Sequence, residues 1–368
     1  MKEQKDIPVL TGIRAICMYS IFFYHTNFFS PTSQSVPYLI LNQFYCFLNF
    51  FFVLSGFIIY YKYSEIRSFN KTMLYNYFVK RIARVFPILL ILITATFLIG
   101  YHHSYYSGKE AIKLYLLNIT LLKGFSSQYN LTGIGPSWFM SVECLFYLLS
   151  PFIFLYAKNI RSLIKIVLFF YGIGILLTLF FSYFPFKGFF SDFLFTAYST
   201  FFGRVFEFSC GIFLGMVAKG EIKSSAKYAL GKKSLYAGLF IIIAAIASLY
   251  FIAAQKNIAH AVDSWAGILV NNILLAVGIT LLFYHLIYYK SLLQKFLSSA
   301  IMVSLGSATY SFYLLHTTFV LSYIYKFISK NVFIAFVSMI IISLVFYKMV
   351  EQPLALLVKR KFLKNVQH

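Results

Sequence analysis

Two ionisable residues stand in the first long apolar run of this chain, LTGIRAICMYSIFFYHTNFF, residues 10–29. They are Arg14 and His25, eleven residues apart. A charged side chain inside a membrane span costs roughly 2.5–3.5 kcal/mol on insertion scales, and it usually faces a bundle interior or a wet cavity. Eleven residues at about 100° each return to nearly the same face of a helix, ~16 Å further on. One helix face therefore carries a cation low down and an imidazole high up. An imidazole is a general base or a nucleophile, and the planar fork of a guanidinium suits phosphate. The plainer alternative is a snorkelling arginine near the helix end and a histidine that only packs.

Other residues extend both ends of this axis. Arg81 and Arg84, in KRIARVFP before Pro87, are three residues apart and share a helix face. Glu351, in EQPL, is expected on the same inner side. In the outer half are expected Glu143, Arg204, Glu207 and His316. Three of these, Glu143, Glu207 and His316, are alternatives for orienting His25. Arg204 and Glu207 have the i, i+3 spacing of a mutual ion pair, and His316 can bond a nearby carbonyl, so each has a structural explanation. Glu143 has no near partner in sequence. A buried carboxylate needs a cation or a proton, and an imidazole at matching depth would serve. A long phosphorylated donor, with phosphates at the arginines and its reactive end at His25, fits the arrangement; coenzyme A has that shape.

The elements that must hold these residues are membrane helices. Of 368 residues, 60% are hydrophobic and 11% charged, against about 25% charged in a soluble domain. Ten apolar runs are expected to cross the bilayer: 9–29, 43–61, 85–101, 138–157, 162–182, 200–218, 235–254, 267–289, 302–325 and 331–350. The segments on one side of these spans hold 23 Lys and Arg and those on the other side 7, with Arg14 and Arg204 inside spans. By the positive-inside rule both termini are cytoplasmic. The same bias accounts for the formal charge of +22 through topology and anionic lipid, without nucleic acid. The four cysteines show no paired spacing, so neither a disulfide framework nor a metal site is expected. The reading is an all-α, polytopic membrane helix bundle of about ten spans, one domain over 1–368, in the plasma (inner) membrane. Within the outer stretch 102–137, AIKLYLLNITLLK is expected to lie on the membrane or re-enter it.

The segments LTGIRAICMYSIFFYH, FFVLSGFIIYY, KRIARVFP, PSWFMSVECLFYLLSPF, FGRVFEFSCGIFLG, SLGSATYSFYLLH and EQPL resemble, in order and over nearly the whole chain, the motifs of the membrane acyltransferase-3 family. One departure is WFMSVE where WSLSVE is commoner. The family's Arg-x10-His pattern falls on Arg14 and His25, its Arg-x-x-Arg pattern on Arg81 and Arg84, and its Ser-Val-Glu on Ser141, Val142 and Glu143. The resemblance implies transfer of an acyl group, usually acetyl from acetyl-CoA, to hydroxyls of a cell-envelope or exported carbohydrate or glycolipid. Some relatives carry a fused esterase-like domain; the chain stops soon after EQPL, so none is expected here. On this reading His25 and Glu143 are catalytic, with His25 taking the hydroxyl proton or briefly carrying the acyl group. Arg14, Arg81 and Arg84 bind the donor, and Arg204, Glu207 and His316 support the site. The rival classes are a secondary transporter, since intramembrane His, Arg and Glu also suit proton coupling, and a lipid-linked glycan polymerase or flippase.

Overall fold

The computed structural model describes residues 7–26, 35–68, 70–103, 105, 108–222 and 231–364. Backbone groups in hydrocarbon have no water to bond, so the chain must satisfy them internally, and helices do this within one segment. The described residues accordingly form helices and no strand, with one lone bridge between Ser126 and Phe189. Eight of the described helices are long and apolar enough to cross a membrane: Val36–Ile66, Lys71–His102, Gly135–Tyr156, Ile160–Tyr183, Phe193–Ala218, Lys233–Lys256, Trp265–Tyr288 and Val332–Phe362. The protein is a helical membrane bundle.

The longer helices are numbered here in chain order. They are α1 (Pro8–His25), α2 (Leu48–Tyr63), α3 (Lys71–His102), α4 (Gly108–Ile119), α5 (Trp138–Tyr156), α6 (Ile160–Tyr183) and α7 (Phe201–Ala218). After these come α8 (Lys233–Lys256), α9 (Trp265–Tyr288), α10 (Ala300–Ser307), α11 (Thr309–Leu315), α12 (Phe319–Phe327) and α13 (Val332–Phe362).

Three expected spans differ in ways that matter for the site. The first is α1, 18 residues long; the expected continuation through 27–29 lies outside the described residues. The third, expected from 85, starts at Lys71, where the Asn70 side chain caps it by accepting from the backbone N–H of Thr72 and Met73. Arg84 therefore sits thirteen residues, or ~20 Å, into a helix rather than at its edge. The ninth, expected as one helix over 302–325, is three. Thr318 breaks it: its backbone is extended, and its hydroxyl donates to Leu315 O at 2.8 Å and accepts from Val320 N at 3.4 Å. A Thr side chain that bonds the backbone in this way offers an alternative to the helix ladder.

The outer stretch also has more structure than its sequence suggests. Helix α4 packs on α3 through Tyr115, whose ring meets Phe97 and whose hydroxyl bonds Thr94. Beyond it Lys123, with no exposed surface, donates to Thr132 O at 2.6 Å and Ile134 O at 2.8 Å. Burial pushes its ammonium down to about 7. Ser141 donates to Leu121 O and Tyr313 to Pro136 O. These bonds pin the segment onto the start of α5.

The centre of the bundle is the contact between α2 and α7. In the Phe193–Ala218 span 72% of the most apolar window is buried, against 17% in Val332–Phe362, which places α13 at the lipid-facing rim. Small residues let membrane helices approach closely, and here two glycines face each other's backbone. A Cβ on Gly56 would stand 2.0 Å from Phe208 O, and one on Gly211 would stand 2.1 Å from Val53 O. Either change forces the helices apart. Gly56→Ala and Gly211→Ala should each cost about 1–3 kcal/mol, the usual range for overpacking. Thermal unfolding in detergent should show a lower midpoint for both variants; an unmoved midpoint would contradict the close approach.

Candidate active site

Helix α1 ends at His25, and the ring is exposed there. Its Nδ1 lies 2.9 Å from His316 Nε2. His316 has no exposed surface and occupies the C-terminal end of α11. A helix end leaves its last carbonyls without intrahelical partners. The His316 ring supplies one: its Nδ1 lies 2.7 Å from Tyr313 O and 3.2 Å from Phe312 O.

Carbonyl oxygens only accept, so His316 Nδ1 carries a proton. In the neutral ring its Nε2 is then an acceptor, and His25 Nδ1 must be the donor to it. This leaves the lone pair of His25 on Nε2, facing away from the pair. The break in the ninth span thus fixes the tautomer of a residue on the first helix. The same hydrogen bond steadies the imidazolium that forms when Nε2 takes a proton.

Arg14, Arg81 and Arg84 line two neighbouring cavities. The larger, the mouth, is about 620 Å³ and is ringed by these three with Lys62, Lys80 and Lys359, against one carboxylate, Glu351. Glu351 is nearly buried and accepts from Ser311 at 2.5 Å. The smaller, the extension, is about 90 Å³ and runs past the three arginines to Ser55, Glu143, Tyr147, Phe139 and Tyr313. Tyr313 is the residue whose carbonyl holds His316. Arg81 is 7% exposed, and its guanidinium lies over the rings of Tyr63 (4.7 Å), Tyr147 (5.4 Å) and Tyr77 (5.8 Å). Its Nε has no hydrogen-bond partner. Tyr63 also hydrogen-bonds the guanidinium, but aromatic faces satisfy no in-plane N–H group, and the unpartnered Nε keeps donor capacity for an anion in the cavity.

The hydrogen-bond partner of His25 is His316 rather than Glu143. Glu143 is buried, and the Ser55 hydroxyl lies 2.8 Å from both its oxygens. It lines the extension with the arginines, while the bond to His25 comes from His316. Arg81 is buried and Arg84 exposed, and both line the same cavity as this carboxylate.

Arg204 and Glu207 form a separate cluster. Both are fully buried, with Arg204 Nη1 2.9 Å from Glu207 Oε1. The same Nη1 donates to Asn272 Oδ1 at 2.7 Å and Asn49 Oδ1 at 3.2 Å, and Nε donates to Tyr198 O at 2.6 Å. Asn271 and Asn272 both turn inward because α9 contains a π-helical turn, Val270–Leu274. The cluster ties α2, α7 and α9 together.

Residue types alone leave several participants unmarked: Ser55 on Glu143, the tyrosine rings around Arg81, and Tyr24 beside His25. Ser55 does fall in the segment FFVLSGF, whose small residues signal a close helix contact. Nothing in sequence points to His260, whose Nε2 lies 3.1 Å from the Tyr24 hydroxyl. Among the described residues no three His, Cys, Asp or Glu side chains cluster as metal ligands.

The fold is that of a polytopic membrane protein, and its site sets a cation-lined cavity beside a histidine pair. A family model described as an acyltransferase domain matches residues 7–348. The chain belongs to the acyltransferase-3 family and is a membrane acyltransferase. Comparisons with curated proteins and with solved structures match nothing.

The histidine pair makes a direct prediction. A positioned general base contributes typically 10²–10⁴-fold, so His25→Ala should cost acyl transfer about that much in protein that still folds. His316→Ala should lower the rate by losing the tautomer and the support of the imidazolium. Residues that act as one unit are non-additive, so the double variant should be scarcely slower than His25→Ala alone. Rates measured for the two single variants and the double variant check this. Strictly additive losses would show that the two rings act separately.

Proposed function

We propose that this acyltransferase moves an acetyl group from acetyl-CoA to a hydroxyl of a cell-envelope or exported carbohydrate, in the plasma membrane. The observation that carries the reading is the continuity of the site. Arg14, Arg81 and Arg84 line a cavity that extends to Tyr313, and the Tyr313 carbonyl holds the ring that holds His25. Phosphates fit the arginine end, since guanidinium forks bond phosphate oxygens in pairs. The thioester fits the narrow extension. Arg14 and His25, on one helix, stand ~16 Å apart along its axis, a span suited to an extended arm between phosphates and thioester. The lysine and arginine count puts the cavity mouth on the cytoplasmic side, where acyl-CoA is made, and His25 on the outer side.

In this reading His25 Nε2 accepts the proton of the acceptor hydroxyl as its oxygen attacks the thioester carbonyl. The carbon–sulfur bond breaks, and the imidazolium returns the proton to the departing thiolate. The products are the ester and free coenzyme A. His316 keeps Nε2 unprotonated before the reaction and shares the positive charge during it. Glu143, with Arg84 in electrostatic reach, sits beside the path of the arm and positions the arginines rather than His25.

Removing a charged hydrogen bond to phosphate costs about 1.5–3 kcal/mol, or about tenfold or more in affinity. Arg81→Ala and Arg84→Ala should therefore each raise the KM for acetyl-CoA by at least about tenfold with a smaller change in kcat. Arg81→Lys should restore only part, because a point charge replaces the planar fork. Steady-state kinetics of purified protein, following thiol release, provide the test. If the dephospho-CoA thioester and acetyl-CoA are used with equal KM by wild type and variants alike, phosphate recognition lies elsewhere.

A further inference from the structure

Helix α1 ends in two consecutive residues, each held by a histidine from a distant part of the chain. His25 is held by His316, and Tyr24 by His260. The rings of Tyr24 and His25 are 4.8 Å apart. His260 lies in the turn between α8 and α9, three residues before Asp263. Its Nδ1 is 3.8 Å from Asp263 Oδ2, and the two side chains are 36% and 61% exposed. That distance is too long for a direct hydrogen bond, and it leaves the carboxylate oxygens open to another hydroxyl.

The backbone of the turn has a support of its own. Gln43, which has no exposed surface, holds it from below: its Nε2 donates to Ala259 O, and its Oε1 accepts from Ala261 N, both at 3.1 Å. Tyr45 donates to the same Oε1 and fixes the amide's orientation. The backbone on either side of His260 is thus satisfied by a buried residue, while the His260 and Asp263 side chains keep exposed surface, with His260 on Tyr24, the neighbour of His25.

The geometry points to a further subsite: Tyr24, His260 and Asp263 bind the hydroxyls of the acceptor next to the His25 base. The acceptor class that suits them is a neutral polyol, as in a carbohydrate. A carboxylate accepts from two neighbouring hydroxyls, the imidazole N–H facing Asp263 donates to a third oxygen, and the Tyr24 oxygen keeps acceptor capacity while donating to His260. Burial pushes the His260 imidazole below its ordinary value, with Asp263 offsetting part of that, so the ring is uncharged at neutral pH. This subsite rests on the acyl-transfer reading above and adds the side from which the acceptor is held.

The test uses membranes from cells that make the full chain, with their own glycans in place, and acetyl-CoA labelled in the acetyl group. Two quantities are read: label recovered on glycan and coenzyme A thiol released. Their ratio measures transfer to the acceptor against loss to water. Asp263→Asn should lower that ratio about tenfold, the loss of a charge-assisted contact, and His260→Gln by roughly three- to tenfold, the loss of a neutral one, while the KM for acetyl-CoA stays within about twofold. Tyr24→Phe, which keeps the ring, should move the ratio in the same direction. A ratio that does not move overturns the subsite, as does a parallel fall of label and thiol in all three variants, which would mark a role in the fold. A wild type that releases no thiol, or places its label on something other than glycan, overturns the acyl-transfer reading and the subsite with it.

Discussion

An arginine inside a membrane bundle keeps its charge, because no protein environment takes its proton. Every buried guanidinium must therefore be compensated where it stands, and this structure compensates two in opposite ways. Arg204 is surrounded by a carboxylate, two amides and a backbone carbonyl. Its Nε and Nη1 are bonded while Nη2 has no partner, and the cluster holds three helices in register. Arg81 is surrounded by tyrosine rings and keeps an N–H group without a partner. Arg204 has its counter-charge beside it in Glu207, whereas Arg81 lines a cavity with two further arginines, where an anion fits. The contrast separates scaffold from site more clearly than residue type does, since both arginines belong to segments of the family pattern.

Helix ends do comparable work at the other end of the site. A continuous ninth span would have bonded the Tyr313 carbonyl within the helix. Thr318 stops the helix, the carbonyl is left over, and the His316 ring takes it. The proton assignment then passes to His25 without any carboxylate. A neutral imidazole stabilises a neighbouring imidazolium less than a carboxylate does, and it avoids burying a second formal charge in a region of low dielectric.

Much of this was legible in the sequence. Hydropathy and charge bias define a helical membrane bundle, and the Arg14–His25 spacing places both residues on one helix. Arg81 and Arg84 do line the cavity that Arg14 lines. The failures have physical causes. Glu143 was expected to orient His25 because it falls about two turns into a span descending from the outer side and has no partner near in sequence; the residue bonded to His25 is His316, and Glu143 shares a cavity lining with the arginines. His316 stood as one of three alternatives because all three were placed at the depth of His25; the break at Thr318, where a local side-chain-to-backbone bond outweighs hydropathy, is not marked by the apolar pattern. The pairing of Tyr24 with His260 joins residues 236 positions apart through a turn set by Gln43, and no periodicity encodes such a contact.

The account depends on one donor lying along α1 between its two chemical ends. The most direct measurement is a cryo-EM structure of the protein with a thioether analogue of acetyl-CoA that cannot be cleaved. The predicted map has the nucleotide phosphates against Arg81 and Arg84 at the cavity mouth and the thioether end in the narrow extension beside Tyr313, on the side of His25. Phosphates bound at the His25–His260 face, or outside the cavity altogether, would contradict the account.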